Sequence, residues 1–141
     1  MNDKALKSLT QLSESEQNQA LRARDIMDKN FVTVTESTSI KSAIEILSVK
    51  NIPSVCVVNN SYIIIGVISE HDLLIQSASQ DVQEKIRFTK DVITVSENDP
   101  LKTVLLKILK NKLKSIPVES SRGELVGQIS RMGLLKILIK R

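Results

Sequence analysis

The residues of this chain that could do chemistry gather in one short stretch. Gly66, Ser69, His71 and Asp72 fall within seven residues, and His71 is the only histidine of 141 residues. His71 follows Ser69 by two positions, with no second histidine available, so no nucleophile and base can be assembled from them. A serine followed three residues later by an acid is instead a helix-start pattern. The hydroxyl accepts from the third helical N–H, and the carboxylate returns to the serine's own N–H. Sixty-one residues further on, Gly127 and Ser130 repeat the glycine and the serine, Arg131 stands where Glu70 stands, and Gly133 replaces Asp72. The single Cys56 excludes an internal disulfide and a Cys-based zinc cluster, and its Val55-Cys56-Val57 setting reads as a small buried hydrophobe. No metal site is expected.

The elements that must hold this stretch come as a repeat. Residues 31–34 read FVTV and residues 92–95 read VITV. Each is a short β-branched strand followed by a helix start. Asp99 before Pro100 is the expected N-cap of one helix, and Thr38, at the same spacing of 61, the expected N-cap of the other. Ile40, Ala43, Ile44 and Leu47 form an apolar stripe at helical spacing, as do Leu101, Val104, Leu105, Ile108 and Leu109. Each helix then meets an Ile-Pro pair, Ile52-Pro53 or Ile116-Pro117, where proline stops the helix. Matching these pairs implies a spacing of 64 and three extra residues in the second helix. A strand, a polar turn and a second strand follow. They end in Gly66-Val67-Ile68-Ser69 or Gly127-Gln128-Ile129-Ser130, and a last helix closes each copy.

The expected fold class is therefore α/β (α+β): two β-α-β-β-α repeats packed as a pseudo-twofold pair, with ligand clefts between them. The expected divisions are a polar leader over 1–21, helical or disordered, a first repeat over 22–80 and a second over 81–141. Gln76–Lys90 reads as the connector. The final helix, with Met132, Leu134, Leu135, Ile137, Leu138 and Ile139, is apolar on more than one side and needs a cover, for which a second subunit is expected.

Composition narrows the function. Aromatics make up only 2%, with no tryptophan, which argues against modules that stack bases on aromatic platforms. Net charge is +4 but uneven: residues 1–80 carry 7 basic and 9 acidic groups, residues 81–141 carry 13 and 7. Lys102, Lys107, Lys110, Lys112 and Lys114 read as the solvated face and C-terminal end of a helix, where cations are favoured. No apolar run approaches the roughly 20 residues that span a bilayer, and no signal-peptide pattern opens the chain. A cytoplasmic location, with no membrane partner and no nucleic acid, is the expectation.

The repeat order, the Ile-Pro pairs, the Gly-x-Ile-Ser endings and the phrase Arg24-Asp25-Ile26-Met27 resemble a tandem pair of CBS domains, a Bateman module. The resemblance covers about residues 22–141. It implies regulation by ligand binding rather than catalysis, with no required cofactor. The implied ligands are adenosine compounds: AMP, ADP, ATP or S-adenosylmethionine. It also implies a homodimer, and a stand-alone module switching an unidentified partner protein. The family's Gly-h-x-Ser/Thr-x-x-Asp pattern falls on Gly66, Ser69 and Asp72, with His71 before the acid. The carboxylate would accept ribose hydroxyl protons, Ser69 and the helix start would take phosphate, and Gly66 would let the backbone approach the ligand. The resemblance implies that this site borrows Asp99, Ile116, Pro117 and Val118, while Thr38, Ile52, Pro53, Ser130 and Arg131 belong to a weaker second site. The alternative is a structural or dimerisation module whose sites have decayed, as Gly133 already indicates for one.

Overall fold

The computed structural model describes residues 21–140; of the leader expected over 1–21, all but Leu21 lies outside the described residues. In chain order the elements are α1 (Ala23–Ile26), β1 (Thr33–Val34), α2 (Ile40–Lys50), β2 (Ser54–Val58), β3 (Ile64–Ser69) and α3 (Glu70–Ser79). After these come β4 (Val95–Ser96), α4 (Leu101–Lys110), β5 (Ser115–Glu119), β6 (Leu125–Ser130) and α5 (Arg131–Leu138). They build two three-stranded sheets, β1-β2-β3 and β4-β5-β6. In each, the short first strand runs parallel to the central one, as the intervening helix requires. In the first sheet, β2 and β3 pair antiparallel as a hairpin.

The spacing between copies is 61 throughout. Buried residues match in pairs at that interval: Val34 with Val95, Ile40 with Leu101, Ala43 with Val104, Leu47 with Ile108, Val55 with Ile116, Val57 with Val118, Ile68 with Ile129, and Leu73 with Leu134. The Ile-Pro pairs are therefore not equivalent, and the second helix has no three-residue insertion. Ile52-Pro53 lies in the loop before β2, whereas Ile116-Pro117 lies inside β5 and matches Val55-Cys56. The true counterparts of Ile52-Pro53 are Leu113 and Lys114. The N–H of Ile52 donates to Leu47 O at 3.1 Å, and that of Leu113 to Ile108 O at 3.0 Å. Pro117 leaves its own mark. The first ladder pairs Thr33 with Cys56, but the second starts one residue later, at Val95 with Val118, because proline brings no N–H to a ladder.

Two further expectations change. Ser39, not Thr38, caps α2, its hydroxyl accepting from Ser42 N; the residue flanking α4 is Pro100, not Asp99. Thr38 and Asp99 are equivalent, but each closes the turn before its helix. Thr38 Oγ1 accepts from Thr35 N at 3.0 Å and Asp99 Oδ2 from Ser96 N at 2.9 Å. A short acceptor bonds the backbone on its N-terminal side as readily as on its C-terminal side. Gln76–Ser79 belong to α3 rather than to a connector. In the α2 stripe Ile44 is exposed while Ala43 and Leu47 are buried.

The chain forms two compact units. Among the described residues, the first comprises Phe31–Val92 and Arg122–Leu125; the second comprises residues 21–30, Ile93–Ser121 and residues 126–140. Each unit contains a repeat and a docking segment. In the first, Phe88 packs over Gly66, and Thr89 exchanges two backbone bonds with Val67, at 2.9 and 3.0 Å. In the second, Met27 packs over Gly127, and Asp28 exchanges two with Gln128, at 2.7 and 3.0 Å. Arg24-Asp25-Ile26-Met27 thus completes the second repeat, although the first follows it in sequence. Ala23, wholly buried, joins that core, and its N–H donates to Asp99 O at 2.8 Å.

Candidate functional site

In the first unit β3 delivers Ser69 at the end of an extended run, and α3 begins at the next residue. The backbone of Ser69 is extended (φ −107°, ψ 164°), the geometry an N-cap requires. Its hydroxyl accepts from Asp72 N at 3.1 Å and donates to Asp72 Oδ2 at 2.9 Å; Asp72 Oδ2 also accepts from Ser69 N at 3.1 Å. The capping box read from the sequence is complete. It engages Oδ2 of the carboxylate and places a negative charge in the first turn, where the helix dipole favours it. Glu70 N donates to Pro53 O at 2.9 Å, so the loop before β2 lies against the start of α3. Between Glu70 and Asp72, the N–H of His71 has no backbone partner among the described residues. The His71 side chain is exposed.

The structure thus brings Ser69, His71 and Asp72 together with Pro53, which was expected in the weaker second site, and adds Glu70. Gly66 has a different reason for being glycine. The ring of Phe88 fills the space a side chain would need, so the missing β-carbon serves packing rather than the approach of a ligand to that face.

The second unit repeats this arrangement without its acid. Ser130 Oγ accepts from Gly133 N at 3.0 Å, and no carboxylate returns the bond. Arg131 N donates to Lys114 O at 3.0 Å, the counterpart of Glu70 to Pro53. Two exposed cations therefore adjoin the start of α5 where the first unit has Pro53 and Glu70. Lys114 was missed in the sequence because the Ile-Pro match displaced the alignment by three residues; a uniform spacing of 61 finds it. Ile116 and Val118 bury their side chains completely in the core of this unit, and Pro117 between them is also buried. Asp99 lies at the other end of the unit's central helix, beside Asn98. Asn98 receives Arg22 on its carbonyl at 2.6 Å and Arg24 on its side-chain oxygen at 2.9 Å.

Among the described residues no group of three His, Cys, Asp or Glu could hold a metal ion, and no helix is long and apolar enough to cross a membrane.

Two β-α-β-β-α units with a serine-capped final helix define a tandem-repeat module. The CBS domain family matches residues 23–79 and again 82–140, and the chain belongs to that family. It is 32% identical over 123 residues to the uncharacterized protein MJ1004 of Methanocaldococcus jannaschii, covering 85% of this chain and 58% of that one. The MJ1004 crystal structure superposes with a TM-score of 0.77, covering 85% of this chain and 60% of the other. CBSX2 of Arabidopsis thaliana in complex with AMP is 25% identical (TM-score 0.73), with 86% of this chain and 99% of that one covered. The CBS domain pair of MJ0100, in complex with 5′-methylthioadenosine and S-adenosyl-L-methionine, is also 25% identical (TM-score 0.71), with 83% and 98% covered. The chain spans 58%, 22% and 42% of the lengths of three curated relatives that are 31–32% identical to it.

Proposed function

We propose that this chain is a regulatory module that binds an adenosine-containing ligand at the start of α3 and so switches a partner protein. The observation that carries the reading is the Asp72 carboxylate, held by Ser69 through Oδ2 at a helix start, in a chain of the CBS-domain family. A carboxylate fixed in this way accepts ribose hydroxyl protons in charge-assisted bonds. The His71 N–H and the positive end of the helix dipole favour an anionic group beside it. AMP in CBSX2, and S-adenosylmethionine with methylthioadenosine in MJ0100, give the ligand class. The second unit, lacking the acid, is the weaker binder. No cofactor is required and no reaction is catalysed.

Ligand switches the module by binding one arrangement more tightly than another, and its differential affinity limits the shift. The module acts as a homodimer in the cytoplasm, a compartment that suits a buried Cys56 outside any disulfide.

The test is a thermal melt against AMP, ADP, ATP, S-adenosylmethionine and GTP, with Asp72→Ala read beside the wild type from its own ligand-free midpoint. Ligand at about 100 times its dissociation constant adds roughly 2.7 kcal/mol. A shift with one adenosine compound, lost in the variant, is expected. No shift with any compound favours the second reading, a structural module in which Ser69 and Asp72 serve only as a cap. The completeness of the capping box without any ligand is what keeps that reading in view.

A further inference from the structure

Four cations of the second unit collect at one end of it. Lys110 closes α4, Lys112 turns the chain out of that helix, Lys114 leads into β5, and Arg131 opens α5. Their backbones are tied together: Lys112 N donates to Leu109 O at 3.3 Å, and Arg131 N to Lys114 O at 3.0 Å. All four side chains are exposed, and among the described residues none of them makes a hydrogen bond or an ion pair. Lys107, one turn back, differs, its Nζ donating to Thr94 O at 2.8 Å. The acids of this unit stand elsewhere. Asp25, Glu97, Asp99 and Glu119 gather at the start of α4, where Ala23 N donates to Asp99 O, Arg24 N to Glu97 O and Glu97 N to Glu119 O. The 10 residues of α4 put about 15 Å between that end and Lys110. Asp28 turns its Oδ1 onto Asn30 N at 2.8 Å.

The first unit is a control for this pattern. At the spacing of 61 its equivalents are Val49, Asn51, Pro53 and Glu70, so the fold does not ask for cations here. The helix dipole accounts for Lys110, at the end of a helix, but it opposes Arg131 at the start of one. We infer that this end of the second unit docks an acidic, amphipathic segment of the partner protein. This rests on the reading that the module switches a partner, and it adds the partner's chemistry and its place. Charge complementarity selects an anion. Two features select protein over nucleic acid. The second unit holds no aromatic residue, since Phe31, Tyr62 and Phe88 all belong to the first, so no base can stack on it. Met132, 60% exposed, follows Arg131 directly and gives the cations an apolar neighbour. A phosphate backbone leaves such a side chain uncovered, whereas an amphipathic segment covers it and the cations together.

The probe is a fluorescent peptide of about 16 residues with Glu and Leu at helical spacing, read by anisotropy against the full chain. The same peptide with Gln for Glu, and a single-stranded oligonucleotide of equal charge, are run beside it. Binding is expected for the Glu peptide alone, weakening several-fold between ~50 mM and ~0.5 M salt. Lys110→Glu with Lys114→Glu is expected to raise the dissociation constant about tenfold. Lys41→Glu with Lys85→Glu, both exposed in the first unit, changes net charge equally and is expected to leave the constant within about twofold. Lys110→Gln with Lys114→Gln reads the same loss if the reversal lowers the melting midpoint. Equal weakening by both reversals overturns the surface, and so does a Glu peptide that fails to bind. A Gln peptide that binds as tightly overturns the charge argument. Tighter binding of the oligonucleotide, lost in the same variant, overturns the choice of partner. Peptide binding with no nucleotide shift in the melts removes the ligand reading alone. A nucleotide shift with no peptide binding removes the docking surface alone.

Discussion

The ring of Phe88 lies where a side chain at Gly66 would stand. A β-carbon there would meet that ring and would come within 2.7 Å of the Thr89 carbonyl oxygen, which already accepts from Val67 N at 2.9 Å. At the equivalent Gly127 the obstacle is the side chain of Met27, whose Cγ would be 2.6 Å away. Another rotamer of Met27 would clear its Sδ and Cγ but not its Cβ, which stands 2.8 Å from the new carbon and is fixed by the backbone, so a rigid atom obstructs both positions. Gly66→Ala and Gly127→Ala are therefore each expected to cost about 1–3 kcal/mol. Urea unfolding of the two variants measures this, and an unchanged stability in either would contradict the account.

The two helix starts differ by one carboxylate, which makes them a matched experiment. Asp72→Ala removes the returned half of the capping box and is expected to cost about 1 kcal/mol before any ligand is added. Gly133→Asp should do the reverse. It replaces a helical glycine, supplies the missing acceptor for Ser130 N, and puts a negative charge in a first turn that has none. The new Cβ would stand 3.1 Å from Ser130 Oγ, so the hydroxyl must yield by a few tenths of an ångström. A net gain of about 1 kcal/mol is expected in a thermal melt, and a loss would mean that Ser130 cannot yield.

Much of this arrangement was legible in the sequence, for reasons the structure makes plain. β-branched runs, amphipathic stripes and the two Gly-x-Ile-Ser endings report local periodicity, and local periodicity survives in both copies. The Ile-Pro pairs misled because proline acts in two ways. Pro53 ends a loop, its carbonyl taken by Glu70, while Pro117 sits in a strand whose ladder starts beyond it. The docking of Arg24–Met27 on the second repeat was not legible, since a contact over roughly a hundred residues leaves no periodic trace. Thr38 and Asp99 were correctly matched to each other, yet the direction in which each bonds is set by one backbone turn that their types do not determine.

That docking supplies a test of how the chain is divided. Ala23 is wholly buried with Val95, Leu101 and Val104 of the second unit. Ala23→Asp would bury an unpaired charge there, at an expected cost of about 3 kcal/mol or more. Amide exchange should then quicken at Val95–Glu97 and Gln128–Ser130, while Val55–Val58 and Val67–Ile68 keep their protection. Loss of protection at β2 and β3 first would contradict the assignment of residues 21–30 to the second unit.

The exits of α2 and α4 offer a change that should stabilise. Asn51 (φ 52°) and Lys112 (φ 54°) are equivalent, and both adopt the left-handed conformation that turns the chain out of a helix. Asparagine tolerates this geometry; lysine, with a full side chain and no local hydrogen bond to offer, tolerates it less well. Against that strain stands the favourable placement of a cation at a helix C-terminus, worth about 0.3–1 kcal/mol and reduced by salt. Lys107 and Lys110 remain in the last turn of α4 whatever stands at 112, so removing one charge forfeits only part of that. The strain, about 1–2 kcal/mol in full, is the larger effect. Lys112→Asn is expected to raise stability by about 0.5–1 kcal/mol at moderate salt, and Asn51→Lys to lower it by a similar amount. Paired thermal melts at two salt concentrations decide it. A fall on Lys112→Asn that disappears at high salt would show that the dipole outweighs the backbone at this site.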